Sequence, residues 1–398
     1  MHRDNLSPKE LLLVNRIEML QRPTGGDSMK VLLLYDFPLH FIGDTICRFC
    51  YLKALCGFFE ESVEIEVNCP NGMVHQLIRN NPYVSAVSQT PLMEIDYMQY
   101  HMIIITSIET ELAFLNMLSI RYADTVLEGS PFPQVFSVTA YFDKLAKLDT
   151  IFSSLPGLGD YIQDNADAVQ KELFLTAGEI EWGGNWLRGQ GVKEDDNLIV
   201  MFDDSSRKIK QLNMEVYFDL LQYYIDNTNA KILIYDEKGI GKDTFYEAWL
   251  GSEQMARLVF ARQLGLRNDI SLLADKAVKL IFGPCTGMMH CAAAVYGVLV
   301  NNGFPRENVP LIITYTGKDI EDPTTKWDWW GGKQLSYCIL VGDNDNGQRE
   351  IFLLEQYRHD YLSCKNFTVA LITGFLRANF TQQLQPLFNH SSHIIGNS

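Results

Sequence analysis

No run of about 18 apolar residues occurs in these 398 residues, so no segment reads as a membrane-spanning helix. Positive charge is also scarce. Lys plus Arg is 33 against 49 for Asp plus Glu, a formal net charge of −16. Polyanions need a cationic surface, so nucleic acid is excluded as the main partner, and any membrane association is at most peripheral. Cysteine is present but not clustered as in disulfide scaffolds. The eight are Cys47, Cys50, Cys56, Cys69, Cys285, Cys291, Cys338 and Cys364, most of them inside apolar runs. Free thiols and a cytoplasmic location, at the inner face of the membrane if near one, are expected. The first 22 residues lack a signal-peptide core, since Leu11–Val14 is followed at once by Asn15, Arg16 and Glu18. Short-period repeats are absent too.

Hydrophobic residues make up 47% and charged residues 21%, a globular balance. At about 150 residues per domain, the length suggests two or three domains. Ser7-Pro8-Lys9-Glu10 reads as a capping box with Pro at the first helical position, opening a helical extension over 1–28. Short apolar runs then alternate with helical stretches. Lys30–Tyr35, Val63–Val67 and Met102–Thr106 read as strands, and Thr45–Phe59 as one buried helix. A polar, Gly-bearing stretch near Gly189–Asp196 marks a boundary. The alternation restarts with Asn197–Phe202, Ala230–Tyr235, Val278–Phe282 and Pro310–Tyr315 as strands, and Met214–Asn227 and Gly287–Tyr296 as helices. The expected architecture is α/β: two Rossmann-like doubly wound domains, 29–190 and 191–355, facing a cleft. A last helix in 356–398 should pack back toward the first domain.

Three segments can carry chemistry. Gly43-Asp44-Thr45 follows the first strand, where Gly43 permits a turn; Asp44 is either a helix N-cap or a general base. Asp203 to Leu212 follows the first strand of the second half and concentrates Ser205, Ser206, Arg207, Lys208 and Lys210. It is either a solvated loop or a phosphate contact. Cys285-Thr286-Gly287-Met288-Met289-His290, then Cys291 and three alanines, joins a buried strand to a helix of small residues. It is either a tight junction or an anion site on exposed N–H groups.

Other signals are weaker. Cys47-Arg48-Phe49-Cys50 falls inside an apolar helix and reads as buried thiols. Gly239-Ile240-Gly241-Lys242 lacks the remaining residues of a phosphate loop, though Glu237 beside it could meet a ribose. Asp343–Gly347 reads as a hairpin turn. Trp327, Trp329 and Trp330 could stack on a sugar or anchor a core.

In order and spacing, these segments resemble glycosyltransferase family 9, the bacterial lipopolysaccharide heptosyltransferases and their relatives, which have a GT-B fold. The resemblance spans about residues 29–330 and rests on Gly43-Asp44-Thr45, Asn80-Asn81-Pro82-Tyr83-Val84, Ser205-Ser206 with Lys210-Gln211-Leu212, and Cys285 to Ala294. It implies an inverting, metal-independent glycosyltransferase, with no cofactor beyond a nucleotide-diphospho-sugar as donor substrate. The sugar would be a heptose or hexose-like unit. The acceptor would be a hydroxyl of a cell-surface glycan or of a lipid-linked precursor. It implies Asp44 as the base, and Ser205, Ser206, Lys210, Thr286 and Gly287 at the donor diphosphate. Cys285 stands where the family has an Asp that touches the donor sugar. Glu237 and His290 are further donor-side candidates. The alternative is a non-catalytic nucleotide-sugar-binding or assembly protein derived from such an enzyme, a reading that Cys285 motivates.

Overall fold

The computed structural model describes residues 3–20, 28–36, 41–59, 63–142, 150–318, 335–356 and 361–388. Trp327, Trp329 and Trp330 lie outside them. The chain forms two compact units, Met1–Phe174 and Leu175–Ser398.

The first unit is built on five parallel strands: β1 (Met29–Leu34), β2 (Val63–Asn68), β3 (Ala86–Ser88), β4 (Met102–Ile105) and β5 (Gln134–Ser137). Their order is β3-β2-β1-β4-β5. Period-two alternation divides β1 between the two faces. Leu32 and Leu34 enter one core, while Val31 and Leu33 enter the other with Tyr35. Both faces are covered, which is why the strand reads as an unbroken apolar run.

The helix Pro8–Met19 forms with its capping box, Ser7 and Glu10 bonding reciprocally. It is more than an extension, because Leu13, Val14 and Ile17 are buried in the core under β1 and β4. The stretch expected as one helix is two, Ile42–Phe49 and Leu52–Phe58, broken at Cys50 and Tyr51. Cys50 turns its thiol back onto the Cys47 carbonyl at 2.8 Å, and both thiols are buried, as expected. Buried Glu111 gathers Ser137 Oγ at 2.5 Å, Thr139 Oγ1 at 3.1 Å and the Phe152 N–H at 3.4 Å, tying the chain after residue 150 to the end of β5.

The second unit repeats the plan with seven strands: β6 (Leu198–Met201), β7 (Lys231–Asp236), β8 (Leu258–Arg262), β9 (Val278–Pro284), β10 (Leu311–Tyr315), β11 (Ser336–Asp343) and β12 (Arg349–Leu353). The order is β12-β11-β10-β9-β6-β7-β8. All pairs are parallel except β11–β12, the hairpin expected around Asp343–Gly347. Asn344 Oδ1 accepts from the N–H groups of Asn346 and Gln348 in that turn. The closing segment is two helices, Val369–Asn379 and Thr381–Phe388, whose Ile372, Leu376, Leu384 and Leu387 sit in the second unit's core.

The helix Ala177–Gly189 lies before the boundary expected at 190, yet it packs with the second unit. Arg267 holds Glu179 through two bonds of 2.8 and 2.7 Å, and Arg188 reaches Asp275 at 2.9 Å. The contact is close enough to require glycine: a Cβ on Gly183 would lie 2.7 Å from the Ser271 carbonyl oxygen. Gly183→Ala should therefore destabilise the protein by about 1–3 kcal/mol, despite alanine's better helix propensity. Urea unfolding reads the change directly, and a midpoint equal to or above wild type would contradict the close packing.

Candidate functional site

In both sheets the chain runs outward in one direction from the first strand and then crosses to its other side. The crossing leaves a switch point between β1 and β4 in the first unit and between β6 and β9 in the second. Ligands of open α/β sheets bind at the carboxyl ends of strands at such points.

At the first switch point β1 continues into Tyr35 and Asp36. The Asp36 carbonyl accepts from Ser107 Oγ at 2.7 Å and Thr110 Oγ1 at 2.8 Å, at the start of the helix Ile108–Arg121. A cavity of about 150 Å³ opens here, lined by Asp36, Asn68, Pro70, Thr90, Pro91 and Thr110 among others. Asp44 is not among its lining residues. Nor is Asp44 an N-cap. The helix begins two residues earlier, with Phe41 at the cap, and Gly43 is buried in its first turn. Asp44 is the third helical residue, half-buried in the first turn, where free N–H groups favour a carboxylate.

At the second switch point β6 ends against β9, the Phe202 N–H donating to the Phe282 carbonyl at 2.9 Å. The fit needs Gly283, because a Cβ there would lie 2.8 Å from Phe202 Cβ. The loop after β6 then turns back. Asp204 fastens it by accepting from the Ser205 N–H at 2.7 Å and Gln211 Nε2 at 2.9 Å. Arg207 and Lys208 are exposed, Ser206 is exposed and Ser205 half-buried. Lys210 is different: it is only 9% exposed, and its ammonium lies 4.0 Å from the Cys285 sulfur. Two segments 75 residues apart in sequence thus converge.

Cys285 donates its N–H to the Tyr315 carbonyl at 3.0 Å and delivers the chain to Thr286, the N-cap of the helix Gly287–Asn301. Among the described residues that cap makes no side-chain bond, and Thr286 Oγ1 is buried with no hydrogen-bond partner. Among the described residues, the helix therefore starts without a side-chain cap and with an unspent hydroxyl, next in sequence to the Cys285 against which Lys210 is buried, an arrangement that accepts an anion. Ala292, Ala293 and Ala294 bring this helix close to the sheet, and His290 is buried one turn in.

The glycine-bearing loop after β7 is filled. Asp236, fully buried, accepts from the N–H groups of Ile240 at 2.9 Å, Gly241 at 3.0 Å and Lys242 at 3.3 Å. Burial opposes this carboxylate's charge, but the three N–H groups and Lys242 hold its pKa below the ordinary value. The Lys242 ammonium donates to Asp203 at 2.6 Å, and the Tyr246 hydroxyl donates to the same carboxylate at 2.7 Å. Tyr246 carried no signal in the sequence, and its pairing with Asp203 carried none either, because it depends on strand order and not on spacing.

Carboxylates gather at the ends of β7 and β8. Glu237 is pushed up by desolvation, with Asp204 and Asp203 repelling its charge and Lys242 attracting it. Asp269, only 4% exposed with Oδ1 unpartnered, is pushed up to about 7, first by burial and then by Glu237. A carboxyl whose folded pKa is raised binds a proton that the unfolded chain has released, so its contribution to stability falls as pH rises from about 4 to about 7. Asp269→Asn should flatten that part of the stability–pH curve. Urea midpoints measured across the window check it, and an unchanged slope would contradict the burial argument.

No protein-family model matches the sequence, and no curated protein matches it. Among solved structures, the chain is similar to the ADP-heptose lipopolysaccharide heptosyltransferase II of E. coli, at 15% identity, with a TM-score of 0.55 over 88% of this chain and 98% of that one. It is also similar to a family 9 glycosyltransferase from Veillonella parvula, at 12% identity, with a TM-score of 0.52 over 80% of this chain and 88% of that one. The chain has a heptosyltransferase-like fold, as the sequence resemblance implied.

Proposed function

We propose that this protein is an inverting glycosyltransferase that draws a sugar from a nucleotide-diphospho-sugar without a metal. The observation that carries this reading is the uncapped start of the helix Gly287–Asn301, with Thr286 Oγ1 unspent and Lys210 buried alongside. A departing nucleoside diphosphate gains negative charge as its bond to the anomeric carbon breaks. The N–H groups at Thr286 and Gly287 and the Lys210 ammonium would stabilise that charge, with the Ser205 and Ser206 hydroxyls donating to the phosphates. Glu237 would accept from the ribose hydroxyls. Cys285 would lie where the sugar leaves the diphosphate, and buried His290 would support the turn that presents the N–H groups.

Asp44 would take the proton from the acceptor hydroxyl. The resulting oxygen nucleophile attacks the anomeric carbon from the side opposite the diphosphate, so the configuration inverts. The name of the E. coli heptosyltransferase supports an ADP-linked heptose or a hexose-like sugar as donor. The acceptor would be a cell-surface glycan or its lipid-linked precursor, reached in the cytoplasm at the inner membrane face. No helix among the described residues is long and apolar enough to cross a membrane.

Two variants test the assignment. Asp44→Ala should lower turnover at least about 100-fold while ADP affinity is retained. Lys210→Ala should weaken ADP binding at least about tenfold in calorimetry, the loss of one charge-assisted contact. Undiminished turnover in the first, or unchanged ADP affinity in the second, would remove that residue from its role. Wild-type protein that binds ADP yet transfers no sugar from any nucleotide donor would favour the non-catalytic reading.

A further inference from the structure

The second unit holds a cavity of about 120 Å³ with an aromatic lining. Tyr217 and Phe218 reach it from the helix Met214–Asn227, Phe245 and Tyr246 from the helix Lys242–Leu250, and Tyr315 from the end of β10. Part of the loop after β6 closes it. Along that loop Lys210 turns to Cys285, whereas Leu212 enters the core with Tyr217 and Tyr246 and lines the cavity. The cavity and the proposed diphosphate contact thus use different sides of one loop.

The rings hold one another in place. Phe218 meets Tyr246 and Phe245 edge to face, with centroids 4.9 and 5.8 Å apart, and stacks on Trp249 at 4.7 Å. The Tyr246 hydroxyl donates to Asp203 at 2.7 Å and lies 3.0 Å from the Tyr217 hydroxyl. A hydroxyl has a single proton, so with that of Tyr246 on the carboxylate, Tyr217 donates to Tyr246. Both protons run toward Asp203, which also lines the cavity.

The lining therefore offers an occupant aromatic rings and oxygen lone pairs, and no Lys, Arg or His lines it among the described residues. Lys242 pairs with Asp203, so the rings and not a bare carboxylate carry the attraction. Such an aromatic enclosure favours a cation. The surrounding charge has the same preference. The two helices that supply four of the rings carry Glu215, Asp219, Asp226, Asp243 and Glu247 against Lys242 alone. A cavity of about 150 Å³ takes benzene, so this one suits a group a little smaller than a six-membered ring, such as a trimethylammonium. Phe245 and Met214, 46% and 54% exposed, form its mouth.

We propose that this cavity binds the head of a small alkylammonium of the choline type, held by its aromatic lining. The site lies beyond the glycosyltransferase reading and does not depend on it.

The test is a ligand-observed NMR titration of the full chain with choline and with its neutral analogue, in which a tert-butyl group replaces the trimethylammonium. The two probes have nearly the same shape, so the ratio of their affinities reads the charge. Wild type should bind choline at least about tenfold more tightly than the analogue. Phe245→Leu keeps an apolar side chain and removes a ring, so it should weaken choline about threefold while the analogue changes less. Met214→Lys sets a cation at the mouth and should weaken choline at least about tenfold. Both side chains are exposed, so the fold should persist in each variant. Glycerophosphocholine separates the sources: binding as tight as choline's makes a phospholipid headgroup the ligand, and weaker binding a free alkylammonium. ADP should not displace choline. Absence of choline binding, equal affinity for the two probes, unchanged choline affinity in either variant, or displacement by ADP each overturns the proposal.

Discussion

A helix begins with N–H groups that have no partner inside the helix, and something must satisfy them. Much of this protein's chemistry follows from how that demand is met at the strand ends. After β4, Ser107 caps the helix Ile108–Arg121 with its own hydroxyl. After β7, the chain folds its own carboxylate, Asp236, into the N–H groups of residues 240–242. After β9 neither device is seen among the described residues: Thr286 makes no side-chain cap bond, and its buried hydroxyl has no partner there. The most conspicuous glycine loop in the sequence is thus closed, and the less conspicuous one is open. The distinction matters more than the glycines themselves, since a nest already filled by a carboxylate repels a phosphate.

The electrostatics are local in the same sense. An excess of acidic residues gives the chain a net charge of −16. Carboxylates concentrate at the ends of β7 and β8, where burial raises the proton affinity of Glu237 and of Asp269, and Glu237 raises that of Asp269 further. Lys242 is neutralised by Asp203, and Arg262 lies against Asp236 and Asp243. Lys210 is buried at the β6–β9 switch point, its ammonium 4.0 Å from the Cys285 sulfur.

Much of the fold was legible because parallel strands buried on both faces leave short apolar runs, and β1, β4, β6, β9 and β10 all appear that way. Met214–Asn227 was readable to the residue from its period. Less was legible where tertiary packing decided. Nothing local shows that Thr45–Phe59 breaks at Cys50, or that Ala177–Gly189 belongs with the second sheet, since that depends on Gly183 meeting Ser271. The candidate site divides likewise. Lys210 and Cys285 were singled out separately, and only strand order brings them to 4.0 Å.

The central claim is that an anionic diphosphate docks on the open helix start and not on the glycine loop after β7. A crystal structure with a bound nucleoside diphosphate tests it most directly. Phosphate oxygens are expected within hydrogen-bond distance of the Gly287 N–H and the Lys210 ammonium, with Asp236 still seated against Ile240, Gly241 and Lys242. Phosphate density in the Gly239–Lys242 loop, with Asp236 displaced and the Thr286 helix start empty, would contradict it.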